Sequence, residues 1–212
     1  MSALHVHSLL TELWLGNTPV VWSMPDGSLQ RKLDSKPKAV LSGSFDPLHS
    51  GHVRLRIAAE EHLQGPVYYE LSLTNVDKPT LDLLAAERRR RQFYDQPVAL
   101  TCASRFVQKA DLLANTVFVV GVDTAERLLS PGSHPDGDGD RQVALASIRR
   151  RGCRFLVAGR RLRGHFCTLS QIAVPNAFQG LFAELPEHVF REDVSSTELR
   201  KSEHTDTDSS SQ

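Results

Sequence analysis

The sequence predicts an α/β chain, a doubly wound parallel sheet with helices on both faces. Three observations predict it. Continuous apolar runs such as "KAVLSG", "TVFVV" and "CRFLVAG" read as strands buried on both faces. Stretches with the apolar spacing of amphipathic helices separate them, and such alternation favours parallel strands joined by helical crossovers. The 212 residues, 40% of them hydrophobic, suffice for one good α/β core and would be cramped as two.

Residues 1–36 differ in pattern from the rest of the chain. There "LLTELWLG" reads as a short helix and "PVVW" as a strand, closed by the turn-forming "PDG" at Pro25–Gly27. This N-terminal extension is either an added edge strand or the remnant of an upstream domain, and the sequence assigns it no function. The main domain, 37–201, opens with a buried strand in "PKAVLSGS". "HVRLRIAAEEHL" then has helical spacing, with Val53, Leu55, Ile57, Ala58 and Ala59 toward the core. Next come strand "VYYELSL", a helix around "TLDLLAAERRRRQFY", strand "VALT", a helix around "RFVQKADLL", strand "TVFVV" and helix "DTAERLL". Beyond the loop "SPGSHPDGDGD" lie helix "RQVALASIRRR", strand "CRFLVAG" and a final helix opening near Ser195. The tail, 202–212, is polar and low in complexity, so disorder is expected there.

Charge narrows the function classes. Lys and Arg total 25 and Asp and Glu total 25, so no global field draws the chain to nucleic acid or to an anionic membrane. Any anion site must be local. The expected partners are small-molecule nucleotides, with no nucleic acid and no membrane, and homo-oligomer formation stays open. Cys102, Cys153 and Cys167 are odd in number and form no Cys-x-x-Cys pair, which predicts free thiols in a reducing compartment. The first residues lack the pattern of a secretory signal, and no apolar run approaches the ~20 residues of a membrane span. A soluble, cytoplasmic chain is the expectation.

In open α/β sheets, ligands bind beyond the carboxyl ends of the strands, where a helix N-terminus presents unpaired N–H groups to an anion. "SGSFDPLHSGH" occupies that place after the first core strand of what would be a Rossmann-like sheet. Gly43 lets a phosphate approach the backbone, and Gly51 does the same at the helix start. His49 and His52, three apart, share a face if both lie in the first turn. Two imidazoles there can donate hydrogen bonds to phosphate oxygens, more strongly as negative charge builds in a transition state. A His-x-x-His pair alone also suits a helix cap or a metal pair; the glycine-rich strand-to-helix setting favours the anion site.

The same stretch resembles the nucleotidylyltransferase superfamily, whose signature is Gly-x-Phe-Asp-Pro-x-His-x-Gly-His after the first strand. Gly43, Phe45, Asp46, Pro47, His49, Gly51 and His52 fill every defined place. "VSSTELR", 194–200, has capping-box spacing at Ser195 and Glu198 and resembles the family's C-terminal Ile-Ser-Ser-Thr-x-Ile/Val-Arg motif, with changes at Val194 and Leu199. By that resemblance Ser195, Ser196, Thr197 and Arg200 contact phosphates. Hydroxyls, free N–H groups and a guanidinium are all anion donors.

Two further segments are similar to the subgroup that adenylylates nicotinate or nicotinamide mononucleotide. "VVGVDTAERLL" matches its Gly-x-Asp element, which implies Gly121 and Asp123 near the adenosine ribose; "FLVAGRRL" makes Arg160 a phosphate or ribose contact. Ser44 and Phe45 join the expected substrate contacts. Lys78, in "LSLTNVDKP", could meet an acceptor phosphate or be a solvated loop lysine. In the run "ERRRR" successive side chains point around a helix axis, so the four arginines cannot all face one ligand; relatives often place an Arg after Lys-x-x in this helix, and by that resemblance Arg88 is an acceptor-site candidate. The aromatic that stacks the nicotinamide ring in many relatives has no counterpart in "LLSPGSHPDGDGD", which leaves the acceptor open.

The resemblance covers about residues 38–201. It implies an adenylyltransferase of NAD biosynthesis, with His49, His52 and Arg200 as catalytic groups. Magnesium is implied as cofactor, held mainly by phosphate oxygens and water, with no dedicated carboxylate cage. Two alternatives stay open: a cytidylyltransferase or phosphopantetheine adenylyltransferase-like enzyme on the same fold, and a nucleotide-binding module without turnover. Intact His49 and His52 speak against the last, since mere binding would tolerate their loss.

Overall fold

The computed structural model describes residues 3–74, 80–130, 138–162 and 164–191. Helix α1 (Ala3–Trp14) and the short strands β1 (Val20–Ser23) and β2 (Leu29–Gln30) form the entry to the chain. The central strand β3 (Ala39–Gly43) leads into α2 (Ser50–Leu63), and β4 (Val67–Ser72) into α3 (Leu83–Arg90). Then β5 (Val98–Thr101), α4 (Phe106–Leu112), β6 (Val117–Gly121), α5 (Val122–Leu129), α6 (Asp138–Arg150) and β7 (Arg154–Ala158) alternate as expected. The chain continues through a small antiparallel hairpin, β8 (Arg160–Leu162) and β9 (His165–Cys167). Two 3₁₀ turns, Leu169–Gln171 and Asn176–Leu181, lead to β10 (Phe182–Leu185).

Eight strands form one sheet in the order β10–β7–β6–β3–β4–β5–β1–β2. From β10 to β5 every pairing is parallel, whereas β1 lies antiparallel on β5 and β2 antiparallel on β1. The predicted fold class is the observed one. The parallel strands are buried almost throughout because helices cover both faces, which is why they read as unbroken apolar runs.

Each face has its own core. Leu9, Leu10 and Leu13 of α1 pack with Leu55, Ala58 and Ala59 of α2 and Ala86 of α3. On the opposite face Ala110 of α4, Ala125 of α5, and Leu145 and Ile148 of α6 meet Val40, Phe118 and Phe155. The N-terminal extension therefore belongs to the same core: β1 completes one side of the sheet, and the Cys102 thiol donates to the Leu13 carbonyl at 3.4 Å. All three cysteines are free.

Helix α2 departs from the predicted core face at one position. Leu55, Ala58 and Ala59 are buried, but Ile57 is 42% exposed and Arg56 takes the inward place at 5%. The guanidinium is tolerated there because two carboxylates reach it, Glu60 one turn on and Asp95 at 3.6 Å, and because it lies 6.0 Å from the Tyr69 ring centroid. Helix α3 is shorter than expected, and β8, β9 and β10 lie in a region where apolar patterning predicts no strand beyond "CRFLVAG". Among the described residues no helix is long and apolar enough to cross a membrane. The expected helix at Ser195 and the tail 202–212 lie outside the described residues.

Candidate active site

Chain order fixes where a ligand can sit. From β3 the chain builds β4 and β5 on one side, then returns to lay β6 and β7 on the other. The crossovers after β3 and β6 therefore diverge and leave a crevice between those strands at their carboxyl ends. A cavity of about 340 Å³ lies there, walled by the ends of β3, β4, β6 and β7 and the starts of α2 and α5.

Gly43, Ser44, His49, His52, Gly121, Asp123 and Arg160, singled out from sequence, all wall this cavity. Gly43 is needed because the Phe45 ring crosses it: a Cβ there would lie 2.9 Å from Phe45 Cζ. Phe45 itself holds an uncommon left-handed conformation, φ 43°. Its ring is buried edge-on against Tyr69, Phe93 and His52, with centroids 5.4, 5.1 and 5.0 Å away. Its side chain is thus core and does not wall the cavity.

The loop 44–48 is gripped from α3. Arg89 donates to the Ser44 carbonyl at 3.1 Å and pairs with Asp46 at 2.9 Å. Gln92 donates to the Phe45 carbonyl at 3.2 Å and accepts from the Leu48 N–H at 2.8 Å. Arg88, the acceptor-site candidate, is exposed and does not wall the cavity. The helix phase turns Arg89 toward the loop instead.

His49 and His52 are held by the start of α2. His49 is its N-cap, extended at φ −139°, ψ 169°, and its Nδ1 accepts from the Gly51 N–H at 3.2 Å. The His49 N–H in turn donates to His52 Nδ1 at 3.3 Å, closing a capping box in which imidazoles stand where Ser and Glu commonly serve. The rings lie face to face, centroids 3.8 Å apart and tilted 30°. An Nδ1 that accepts a backbone N–H carries no proton there, so the cap leaves Nε2 as the nitrogen of each ring that can donate. The Nε2–H donor of each lies outside the cap. Burial, then the neighbouring His49 and the Arg160 guanidinium, push the His52 pKa down from 6.5 to about 3, which keeps the ring neutral at physiological pH.

Across the crevice Gly121 caps α5, and Asp123 in its first turn pairs with Arg160 at 3.2 Å. A Cβ at Gly121 would lie 2.6 Å from Asp123 Oδ1, so glycine lets that carboxylate fold back over the helix start. Lys109, Thr124 and Arg127 are among the wall residues that carried no sequence signal. Lys109 pairs with Glu70, 39 positions away, a partnership that no local pattern encodes.

Lys78, Ser195, Ser196, Thr197 and Arg200 lie outside the described residues. Among the described residues no group of three His, Cys, Asp or Glu side chains could hold a metal ion, and Asp123 is engaged by Arg160. The described residues offer no protein cage for a metal ion, and no chemical step is routed through one. The arrangement offers neutral N–H donors, a guanidinium and a helix start, all suited to phosphate oxygens. No model of a known protein family matches the chain, and no curated protein matches it significantly.

Proposed function

We propose that the chain is a nucleotidylyltransferase that moves AMP from ATP to a phosphorylated acceptor, with nicotinamide or nicotinate mononucleotide as the favoured acceptor. One observation carries this reading: two imidazoles, each with its Nδ1 engaged in the α2 cap, stand at the switch-point crevice with Arg160 beside them, the His52 ring held neutral by burial. The reaction is an in-line displacement. An acceptor phosphate oxygen forms a bond to the α-phosphorus of ATP, the bond from that phosphorus to the bridging oxygen breaks, and pyrophosphate leaves with the electron pair. No proton need be abstracted from a phosphate oxygen already ionised at neutral pH. The protein supplies alignment and charge stabilisation.

In this scheme His49 and His52 donate to the oxygens of the transferring phosphoryl group, and a lowered pKa suits His52 to give a hydrogen bond without giving up a proton. Asp123 accepts from ribose hydroxyls at the start of α5, and Arg160 neutralises phosphate charge. Ser195, Ser196, Thr197 and Arg200 are assigned the leaving pyrophosphate on sequence resemblance alone.

Pyrophosphate release from magnesium with ATP or CTP and a panel of phosphorylated acceptors tests the reading. Release with ATP and nicotinamide or nicotinate mononucleotide is expected. Release only with CTP, or only with phosphopantetheine, moves the assignment to another branch of the same chemistry, and tight nucleotide binding without release leaves a binding module. His52→Ala is expected to lower kcat about 10²–10³-fold while ATP affinity changes little. An unchanged rate removes His52 from the mechanism.

A further inference from the structure

Glu70 sits in the middle of the sheet on β4 with no solvent exposure. Its Oε1 accepts from the Thr101 hydroxyl at 2.8 Å and its Oε2 from Lys109 Nζ at 2.6 Å. A buried ion pair of this kind is a poor stabiliser. Desolvating two charges costs several kcal/mol, and apolar residues of similar size commonly do as well or better. What the pair does achieve is position: Lys109, itself 7% exposed, is a cation fixed in the cavity wall on the face of the sheet opposite α2.

The ammonium has donors to spare. Of its three N–H bonds, Glu70 takes one among the described residues, and the ring of Phe106, another wall residue, lies 5.1 Å from Nζ. Ser42, paired in register with Glu70 across β3 and β4, also walls the cavity. Its hydroxyl is enclosed and has no hydrogen-bond partner among the described residues, although an enclosed polar group normally has one. A fixed cation with donors unused and an enclosed hydroxyl without a partner share one wall. They suit an anionic oxygen that is both acceptor and counter-charge.

We infer that Lys109, held in place by Glu70 and Thr101, binds a phosphate oxygen of the substrate from the α4 face of the crevice, together with the Ser42 hydroxyl. That this phosphate is the acceptor's rests on the proposed transferase activity, because the wall lies on the β4 side, away from Asp123 and Arg160. The site then closes on its phosphates from both faces, imidazoles on one and an ammonium on the other.

Lys109→Met alone strands a buried carboxylate, so the informative variant is Glu70→Gln/Lys109→Met, which removes both charges and keeps an acceptor for Thr101. Calorimetric titration with inorganic phosphate and with nicotinamide mononucleotide, on variants shown to be folded by near-UV circular dichroism, is the measurement. Both ligands are expected to bind the double variant at least ~10-fold more weakly than the wild type, with ATP affinity less affected. Ser42→Ala is expected to weaken the same two ligands by less. A folded double variant that binds inorganic phosphate as the wild type does, or a wild type that does not bind it, overturns the assignment and leaves the ion pair structural. Wild-type phosphate binding lost in the double variant, alongside no pyrophosphate release from any acceptor, would uphold the anion site and remove the transferase reading instead.

Discussion

At His52 a single side chain does three jobs: it closes the helix cap, packs against the Phe45 ring and presents a donor to the crevice. The pKa shift that suits it for the third has a cost elsewhere. Its folded-state pKa of about 3 lies below the ordinary 6.5, so between those values the unfolded chain binds a proton that the folded chain refuses. Stability from this group is whole above pH 6.5 and falls as pH drops toward 3, by about 2–3 kcal/mol at about pH 4.5. Urea denaturation from about pH 7 to about pH 4.5 is expected to show a shallower loss for His52→Gln than for the wild type. Parallel curves would mean that the ring titrates alike in both states. The neighbouring arginines separate in the same manner. Arg89→Ala removes two charged contacts to the 44–48 loop and is expected to cost about 1.5–3 kcal/mol, whereas the exposed Arg88→Ala should stay within about 0.5 kcal/mol. Equal losses in chemical denaturation would refute the proposed grip of α3 on the loop.

The elements are legible wherever burial is two-sided. Strands β3 to β7 announce themselves as apolar runs because nothing on either face needs to be polar, and α2, α4 and α5 are set by the spacing between them. Strand β10 escapes a sequence reading for the opposite reason: its crossover from β7 uses a hairpin and two 3₁₀ turns instead of a helix, so "AFQGLFAEL" shows no helical period to frame it. Within elements, the errors fall where a distant partner sets the outcome. Arg56 is buried because Asp95 meets it, and Arg89 acts because Asp46 and Ser44 lie across from it. Lys109 is invisible without Glu70. The glycine- and histidine-rich loop can be read because its structure is local, with the cap and both imidazoles packed into one short stretch of chain.

For the molecule as a whole, the N-terminal extension is no appendage. Leu10 and Leu13 are almost fully enclosed against α2 and α3, and Leu13→Ala is expected to cost about 2–5 kcal/mol in denaturant unfolding. Removing residues 1–36 would strip that layer and bare the β5 edge, so the shortened chain should lack a cooperative transition and associate through the open edge. A monomeric, cooperatively folding product would show instead that 37–201 stands alone.

The strand order also has a consequence in time. On the ribosome β1 to β5 emerge before any of β6, β7 or β10, so five of the eight strands, from β3 outward to β2, can assemble while β3 is still a free margin. Until α4, α5 and α6 emerge in their turn, Val40, Tyr68 and Trp22 face water on an uncovered side. The strand that leads toward the histidines is thus the seam along which a nascent chain must wait for its last three strands, and a translational pause near residue 103 would leave that seam open to neighbours.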